Sequence, residues 1–284
     1  MYNQVKAGDF MNFETLKNLS SDFLLSAKEN FVEEGDALRP DLAGMQIYDA
    51  PIFAVAAADD PLFLQLREPK VVGEGAFLPS DWLEGAKSVV SFFLPFTDAV
   101  KKSNRIDPVK ASDEWLHARI EGQIAVNALG AYIVNLLKAE GCEAVYPSAD
   151  ARFAMIAPLI SNWSERHVAY ICGLGTFGLS KGLITEKGMA GRFGSIVTTA
   201  ALPVTVRPYS SPFEYCTMCG ACQRKCPPQA IDASKGVACG KDHNICAPFV
   251  DTTRQPPKGA NNRSRYGCGK CQVGVPCESG IPKK

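Results

Sequence analysis

The sequence predicts an α/β domain followed by a small cysteine-rich module. Two observations carry this reading. Helical and strand patterns alternate through residues 13–204, and nine of the eleven cysteines fall between 216 and 277. The boundary lies near LPVTVRPYSSPFEY (202–215), whose three prolines and two serines read as a linker. The chain thus divides into an N-terminal helical segment (1–40), an α/β core (41–205) and the module (206–284). At 284 residues there is room for one large and one small domain, and 46% hydrophobic content is enough for a buried core.

The elements follow in order. Phe13, Leu16, Leu19, Phe23 and Leu24 recur at helical spacing, so residues 13–32 read as one or two amphipathic helices. IYDAPIFAVAAA (47–58) reads as a strand entering a loop. Pro79-Ser80 opens a short helix that Gly85 ends, and SVVSFFL after it reads as a buried strand. Residues 112–141 form a long helix, with Ser112 as N-cap, acids in the first turn and Gly141 at its stop. CEAVYP (142–147) is a further strand. NWSERHVAYICGLG (162–175) reads as a helix ending in glycines, and GSIVTTALPV (194–204) as a strand.

Net charge is zero, which offers no electrostatic case for nucleic acid or an anionic membrane. The longest apolar run, SVVSFFLPF (88–96), is far short of a bilayer span. The N-terminus has neither an apolar signal region nor a twin arginine. These features predict a cytoplasmic protein. Thiols stay reduced there, so clustered cysteines argue for metal over disulfides. Cys142 and Cys172 stand apart and read as buried small hydrophobes.

CTMCGACQRKCP (216–227) is a C-x2-C-x2-C-x3-C-P run. In bacterial ferredoxins the first three cysteines of such a run hold one [4Fe–4S] cluster and the fourth crosses to a second. Cys216, Cys219 and Cys222 are therefore assigned to one cluster, with Cys277, preceded by Pro276, returning to complete it. Cys226 joins the C-x2-C pair Cys268 and Cys271 on the second. Its last ligand is Cys246 or Cys239, and we favour Cys246. C-x2-C pairs also bind zinc, but four cysteines at this spacing suit a ferredoxin-like module with two clusters better.

GLGTFG (173–178) matches G-x-G-x-x-G, yet no strand precedes it and no acid follows in FGSIVTTA, so it is a poor dinucleotide motif. The turn reads either as a tight helix-to-strand connection or as backbone lying against a flat cofactor. Taken in order, PSDWLEGAKSVVSFFLPF, ICGLGTFGLSKGLITEKGMAGRFGSIVTTALP, the cysteine run and YGCGKCQ resemble the epoxyqueuosine reductases and, more distantly, the reductive dehalogenases. The resemblance covers residues 79 to 284.

It implies a nitroreductase-like core binding a base-off corrinoid (cobalamin), fed by two [4Fe–4S] clusters, with Gly173, Gly175 and Gly178 beside the cofactor. An external donor (ferredoxin, flavodoxin or a reductase) and a small-molecule substrate are the implied partners. The chain departs from the family in three places. It ends at Lys284 where those reductases continue into helical repeats. Leu179 stands where a lysine usually follows the turn, with Lys181 two residues on. Finally, an aspartate about fourteen residues before the turn is thought to donate the proton in that family. Counting back fourteen from Gly173 reaches Leu159.

The nearest upstream carboxylate, Asp150 in YPSADARF, is the candidate acid if the residues between are an insertion; Arg152, Asn162, Glu165 and His167 are further polar candidates. His117 and Glu121 share a helix face at i, i+4 and read as a pair. The expected function is a corrinoid-dependent oxidoreductase that does not efficiently reduce epoxyqueuosine. The alternative is an electron-transfer protein serving a partner enzyme. A bare ferredoxin would not need so large a core.

Overall fold

The computed structural model describes residues 12–283. Helix α1 (Phe13–Ser26) starts at Asn12, whose side-chain oxygen accepts from the Thr15 amide at 2.8 Å. Strand β1 (Ile52–Ala57), the short helices α2 (Pro61–Gln65) and α3 (Pro79–Trp82), and strand β2 (Ser88–Pro95) follow. Helix α4 (Asp98–Ser103) leads to α5 (Asp113–Ala139), which Ser112 caps as expected, its Oγ accepting from the Trp115 amide at 3.2 Å.

Next come β3 (Ala144–Val145), a hairpin of β4 (Met155–Ala157) and β5 (Ile160–Ser161), and α6 (Glu165–Cys172). A second hairpin, β6 (Gly175–Phe177) with β7 (Leu183–Thr185), precedes the long strand β8 (Gly191–Thr198). The cysteine-rich stretch carries α7 (Ala221–Arg224), α8 (Gly236–Cys239) and α9 (His243–Thr252).

The result is a mixed α/β fold around one sheet of order β1-β2-β8-β3, in which every pair is antiparallel. Every residue of β2 is buried, because both faces of the sheet are covered. Val90, Phe92 and Leu94 point into the core shared with α1 and α5, while Val89 and Phe93 point into the core beneath α6. That double burial explains why SVVSFFLP is apolar without alternation. Helix α1 lies on α5, with Phe23 stacked on Tyr132 at 4.1 Å. Helix α5 has the length and apolar composition of a membrane span, which a search for continuous apolar runs does not detect. Its buried stripe, including His117 and Glu121, belongs to the protein core.

Residues 202–215 are not the free linker that their prolines suggested. Thr205 Oγ1 accepts from the Val55 amide at 3.0 Å, and Arg207 pairs with Asp60 at 2.6 Å. The Tyr209 hydroxyl donates to the Tyr170 carbonyl at 2.6 Å, and the Tyr215 amide donates to Thr176 Oγ1 at 2.9 Å. The prolines interrupt regular structure, but the intervening side chains strap the segment to the core.

Candidate functional site

The cysteine-rich stretch folds its thiols into two sets of four. Cys216, Cys219, Cys222 and Cys277 line a small cavity with Leu179, Ile184 and Val275. Cys226, Cys246, Cys268 and Cys271 line a much larger one. The same local device builds one turn of each set. Cys219-Gly220-Ala221-Cys222 and Cys268-Gly269-Lys270-Cys271 both place glycine in the left-handed region, at φ 69° and 70°. A Cβ on Gly269 would stand 2.1 Å from the Trp115 ring, so neither the turn nor the packing admits a side chain there.

Burial pushes the thiols up: Cys222 and Cys268 to about 11 and Cys277 to about 12. Neighbouring thiols add to the shift in a pattern that follows the two sets. Cys222, Cys216 and Cys219 act on Cys277, while Cys271 and Cys246 act on both Cys226 and Cys268. Cys271 also acts on Cys222, so the sets are neighbours. The Ala230 amide donates to Cys226 Sγ at 3.2 Å. Cys239 is exposed and belongs to neither lining. Among the described residues no three His, Cys, Asp or Glu side chains close to the spacing of a single bound ion. Thiolates around a cluster stand farther apart than those around one ion, and two four-thiol sets match the donor chemistry of two [4Fe–4S] clusters. Cys172 is buried in the main core and Cys142 half-buried, as their isolation suggested.

The large cavity measures about 1250 Å³, above the ~300–1,000 Å³ usual for small-molecule sites. Helix α5, the β4–β5 hairpin, the start of α6, the start of β8 and the second cysteine set enclose it. Its wall includes aromatic rings such as Trp163, Phe153 and Phe177. The space suits a macrocyclic cofactor with a small substrate beside it.

Glu165 is the one carboxylate on that wall among the described residues. Its oxygens accept from Ser148 Oγ at 2.5 Å and Ser195 Oγ at 2.6 Å, and Ser195 in turn accepts from Trp163 Nε1 at 2.9 Å. Burial raises the carboxyl to about 7, against the two serine hydrogen bonds. His167 and His243 are depressed to about 4, first by burial and then by Arg166, Lys181 and, for His243, Lys241. Both imidazoles are therefore neutral at physiological pH.

The Glu165 shift has a measurable consequence. A carboxyl raised in the folded state favours folding fully below its unfolded value, near 4.5, and that contribution is lost as pH rises through about 7. The full shift corresponds to roughly 3 kcal/mol. Glu165→Gln will match wild type in thermal unfolding at pH 5 and exceed it at pH 8. An equal difference at both pH values would show that the carboxyl is not displaced from its ordinary range.

The structure separates the other candidate residues from the cavity. Asp150 is clamped by Arg152 at 2.8 Å, and that hydrogen-bonded pair holds its carboxyl down at about 2. Asp150 does not line the cavity, and its carboxyl stays ionised at neutral pH. Arg152 spends its guanidinium on Asp150 and the Asp81 and Trp82 carbonyls, and Asn162 bridges the Arg152 carbonyl to the Ala154 amide. Leu159, at φ 63°, sits at the tip of the β4–β5 hairpin and does line the cavity.

The glycine turn is backbone engineering. Gly173 ends α6 at φ 107°, and a Cβ on Gly175 would stand 1.9 Å from the Ile184 carbonyl oxygen across the β6–β7 pair. Neither lines the large cavity, and Gly178 lines the small one beside the first cysteine set. Leu179 is buried against that set, while Lys181 reaches the large cavity. The place of Glu165 on the wall was not evident from sequence; the only signal was an acid in the first turn of a helix.

No family model matches the chain, and no curated protein matches it. Solved structures do. An epoxyqueuosine reductase from Streptococcus thermophilus aligns at TM-score 0.52 and 16% identity, covering 96% of this chain and 68% of that one. A catabolic reductive dehalogenase in complex with 3-bromo-4-hydroxybenzoic acid aligns at TM-score 0.53 and 13% identity, covering 95% and 37%. The chain has the fold of these reductases. An epoxyqueuosine reductase holding a tRNA-Tyr stem loop also aligns, at TM-score 0.50 and 18% identity, with 95% of this chain and 68% of that one covered. A net charge of zero therefore does not exclude nucleic acid for this fold. The shared fold agrees with the resemblance read from the glycine turn and cysteine run.

Proposed function

We propose that the chain is an iron–sulfur oxidoreductase. Two [4Fe–4S] clusters, on Cys216, Cys219, Cys222 and Cys277 and on Cys226, Cys246, Cys268 and Cys271, supply electrons to a corrinoid in the α/β domain for reduction of a small substrate. The observation that carries this reading is that the second cysteine set opens into the large cavity while the first lines a separate small one, with Cys219 exposed. That arrangement suits entry of electrons from an external donor at one end and their use at the other. A nitroreductase-like core and a ferredoxin-like module belong to the same proposal.

A corrinoid, when bound, supplies strongly reducing single-metal chemistry. The residues around it have simpler roles. The aromatic wall excludes water, and the hairpin tip at Leu159 presents an apolar surface. Glu165, with its carboxyl raised to about 7, takes up and releases a proton near neutral pH. The substrate is not expected to be epoxyqueuosine, because Leu159 occupies the family's acid position and Asp150 is fixed as an ionised partner of Arg152. Losing a positioned acid costs on the order of 10²–10⁴ in rate.

Equilibrium dialysis of the anaerobic protein against cob(II)alamin tests the proposal. Binding at micromolar concentration or tighter is expected, together with no robust turnover of epoxyqueuosine by wild type or Asp150→Ala. Absence of corrinoid binding would leave the electron-transfer reading, in which the clusters serve a partner enzyme.

A further inference from the structure

The large cavity is strongly cationic in a chain of zero net charge. Lys70, Arg119, Arg166, Lys181, Arg192 and Lys241 line it, against the single carboxylate of Glu165. Glu165 is held by two serines, not by a cation. Part of the positive charge answers the cysteines: Lys241 and Arg166 act on Cys271, and Lys181 is engaged with the Val237 and Ala238 carbonyls.

Arg119 and Arg192 are different. Arg119 belongs to a stripe along α5, with Trp115, Gln123 and Asn127, that faces the cavity at intervals of four residues. Arg192 comes from the start of β8, its Nη2 donates to the Arg119 main-chain carbonyl at 2.5 Å, and both residues line the cavity. Neither forms an ion pair with a carboxylate among the described residues, and burial first, with the Arg119 charge adding to it, lowers the pKa of Arg192. Arg119 rests over the Tyr266 ring at 4.5 Å, and its buried Nε has no hydrogen-bond partner. Two like charges converge on one wall, with amide and phenol groups from Gln123, Asn127 and Tyr146 beside them. An oxyanion is the partner that this arrangement lacks, since guanidinium forks match carboxylate and phosphate geometry.

We propose that Arg119 and Arg192 form an oxyanion site in the cavity wall that binds a carboxylate or phosphate group of the ligand. The inference rests on the proposed function in taking the cavity as the reaction chamber, and it narrows the substrate class to anionic molecules. The same chemistry could come from the phosphate of the corrinoid's nucleotide, and the test separates the two sources.

Calorimetry on the cluster-containing protein under anaerobic conditions compares benzoate with its neutral isostere benzamide. Wild type will bind benzoate at least about tenfold more tightly, and Arg119→Gln or Arg192→Gln will each weaken benzoate by about tenfold to hundredfold without affecting benzamide. Arg192→Lys will retain part of the preference, and unchanged iron content will confirm that each variant is folded. Cobalamin and cobinamide, which lacks the nucleotide phosphate, form the second arm. If the glutamine variants weaken cobalamin selectively and leave benzoate unchanged, the oxyanion is the cofactor's. If they weaken benzoate and leave cobalamin unchanged, it is the substrate's. Equal affinity of wild type for benzoate and benzamide, with no selective effect of the variants on cobalamin, overturns the oxyanion site. Failure of wild type to take up either corrinoid, with benzoate preference intact, overturns the corrinoid reading alone.

Discussion

Cys246→Ser will lower the iron content of anaerobically purified protein from about eight atoms per chain to about four, whereas Cys239→Ser will keep both clusters. Cys246 lines the large cavity with Cys226, Cys268 and Cys271 and acts on all three thiols. Cys239 is exposed, belongs to neither lining, and exerts its field on Lys181. Loss of the cavity-facing cluster will also abolish electron delivery to anything bound there, even though the first set remains intact. Iron analysis with electron paramagnetic resonance of the reduced protein checks both variants. The opposite pattern, with iron kept in Cys246→Ser and lost in Cys239→Ser, would reassign the eighth ligand.

Glu121→Ala will destabilise the fold by about 3–5 kcal/mol, because it strands a buried guanidinium. Arg265 is 1% exposed and Glu121 5%. Arg265 donates to the two Glu121 oxygens at 2.7 and 3.2 Å and also to the Asp36 and Lys258 carbonyls at 2.9 and 3.1 Å. His117 Nε2 accepts from the Leu38 amide at 3.0 Å, so Nδ1 carries the proton that is donated to Glu121 at 3.0 Å. One carboxylate thereby joins the 36–38 loop, α5 and the 258–265 loop of the cysteine-rich stretch. Burial works to raise its pKa, yet the hydrogen bonds from His117 and Arg265 and the charge of Arg265 hold it below the ordinary 4.5. Its contribution is present above that value and is lost as pH falls through the lower folded one.

Denaturant midpoints of Glu121→Ala and of the apolar pair Glu121→Leu/Arg265→Met measure the effect. The single variant should fall far below wild type, and the pair should recover most of the loss. A double variant no better than the single one would mean that the network's hydrogen bonds to backbone carbonyls matter more than its charges.

Much of this architecture was legible locally. Ser112 caps α5 because a hydroxyl before an apolar-periodic run satisfies an orphan amide, and Gly173 ends α6 because the turn needs a positive φ. The continuous apolar run of β2 announced a strand buried on both faces. The thiol grouping was read from the C-x2-C-x2-C-x3-C-P run and the C-x2-C at 268, by the rule that the fourth cysteine of such a run crosses to a second cluster. By contrast, the glycines at 173–178 serve different local needs, Gly173 ending α6 at positive φ and Gly175 allowing close backbone pairing with β7, which the pattern alone did not distinguish from cofactor contact.

What the sequence by itself determined is therefore the set of local structures, since these depend on neighbours a few residues apart. Tertiary structure decided which polar groups meet. Asp150 looked like the available acid because it follows a strand, but Arg152 two residues on captures it outside the cavity. Glu165 became the wall's carboxylate only when Ser148 and Ser195, 17 residues before it and 30 after it, closed around it. Arg119 and Arg192, 73 residues apart, converge because α5 packs across β8. Burial and long-range fields set a side chain's charge and reach, and both are properties of the folded arrangement that no local pattern encodes.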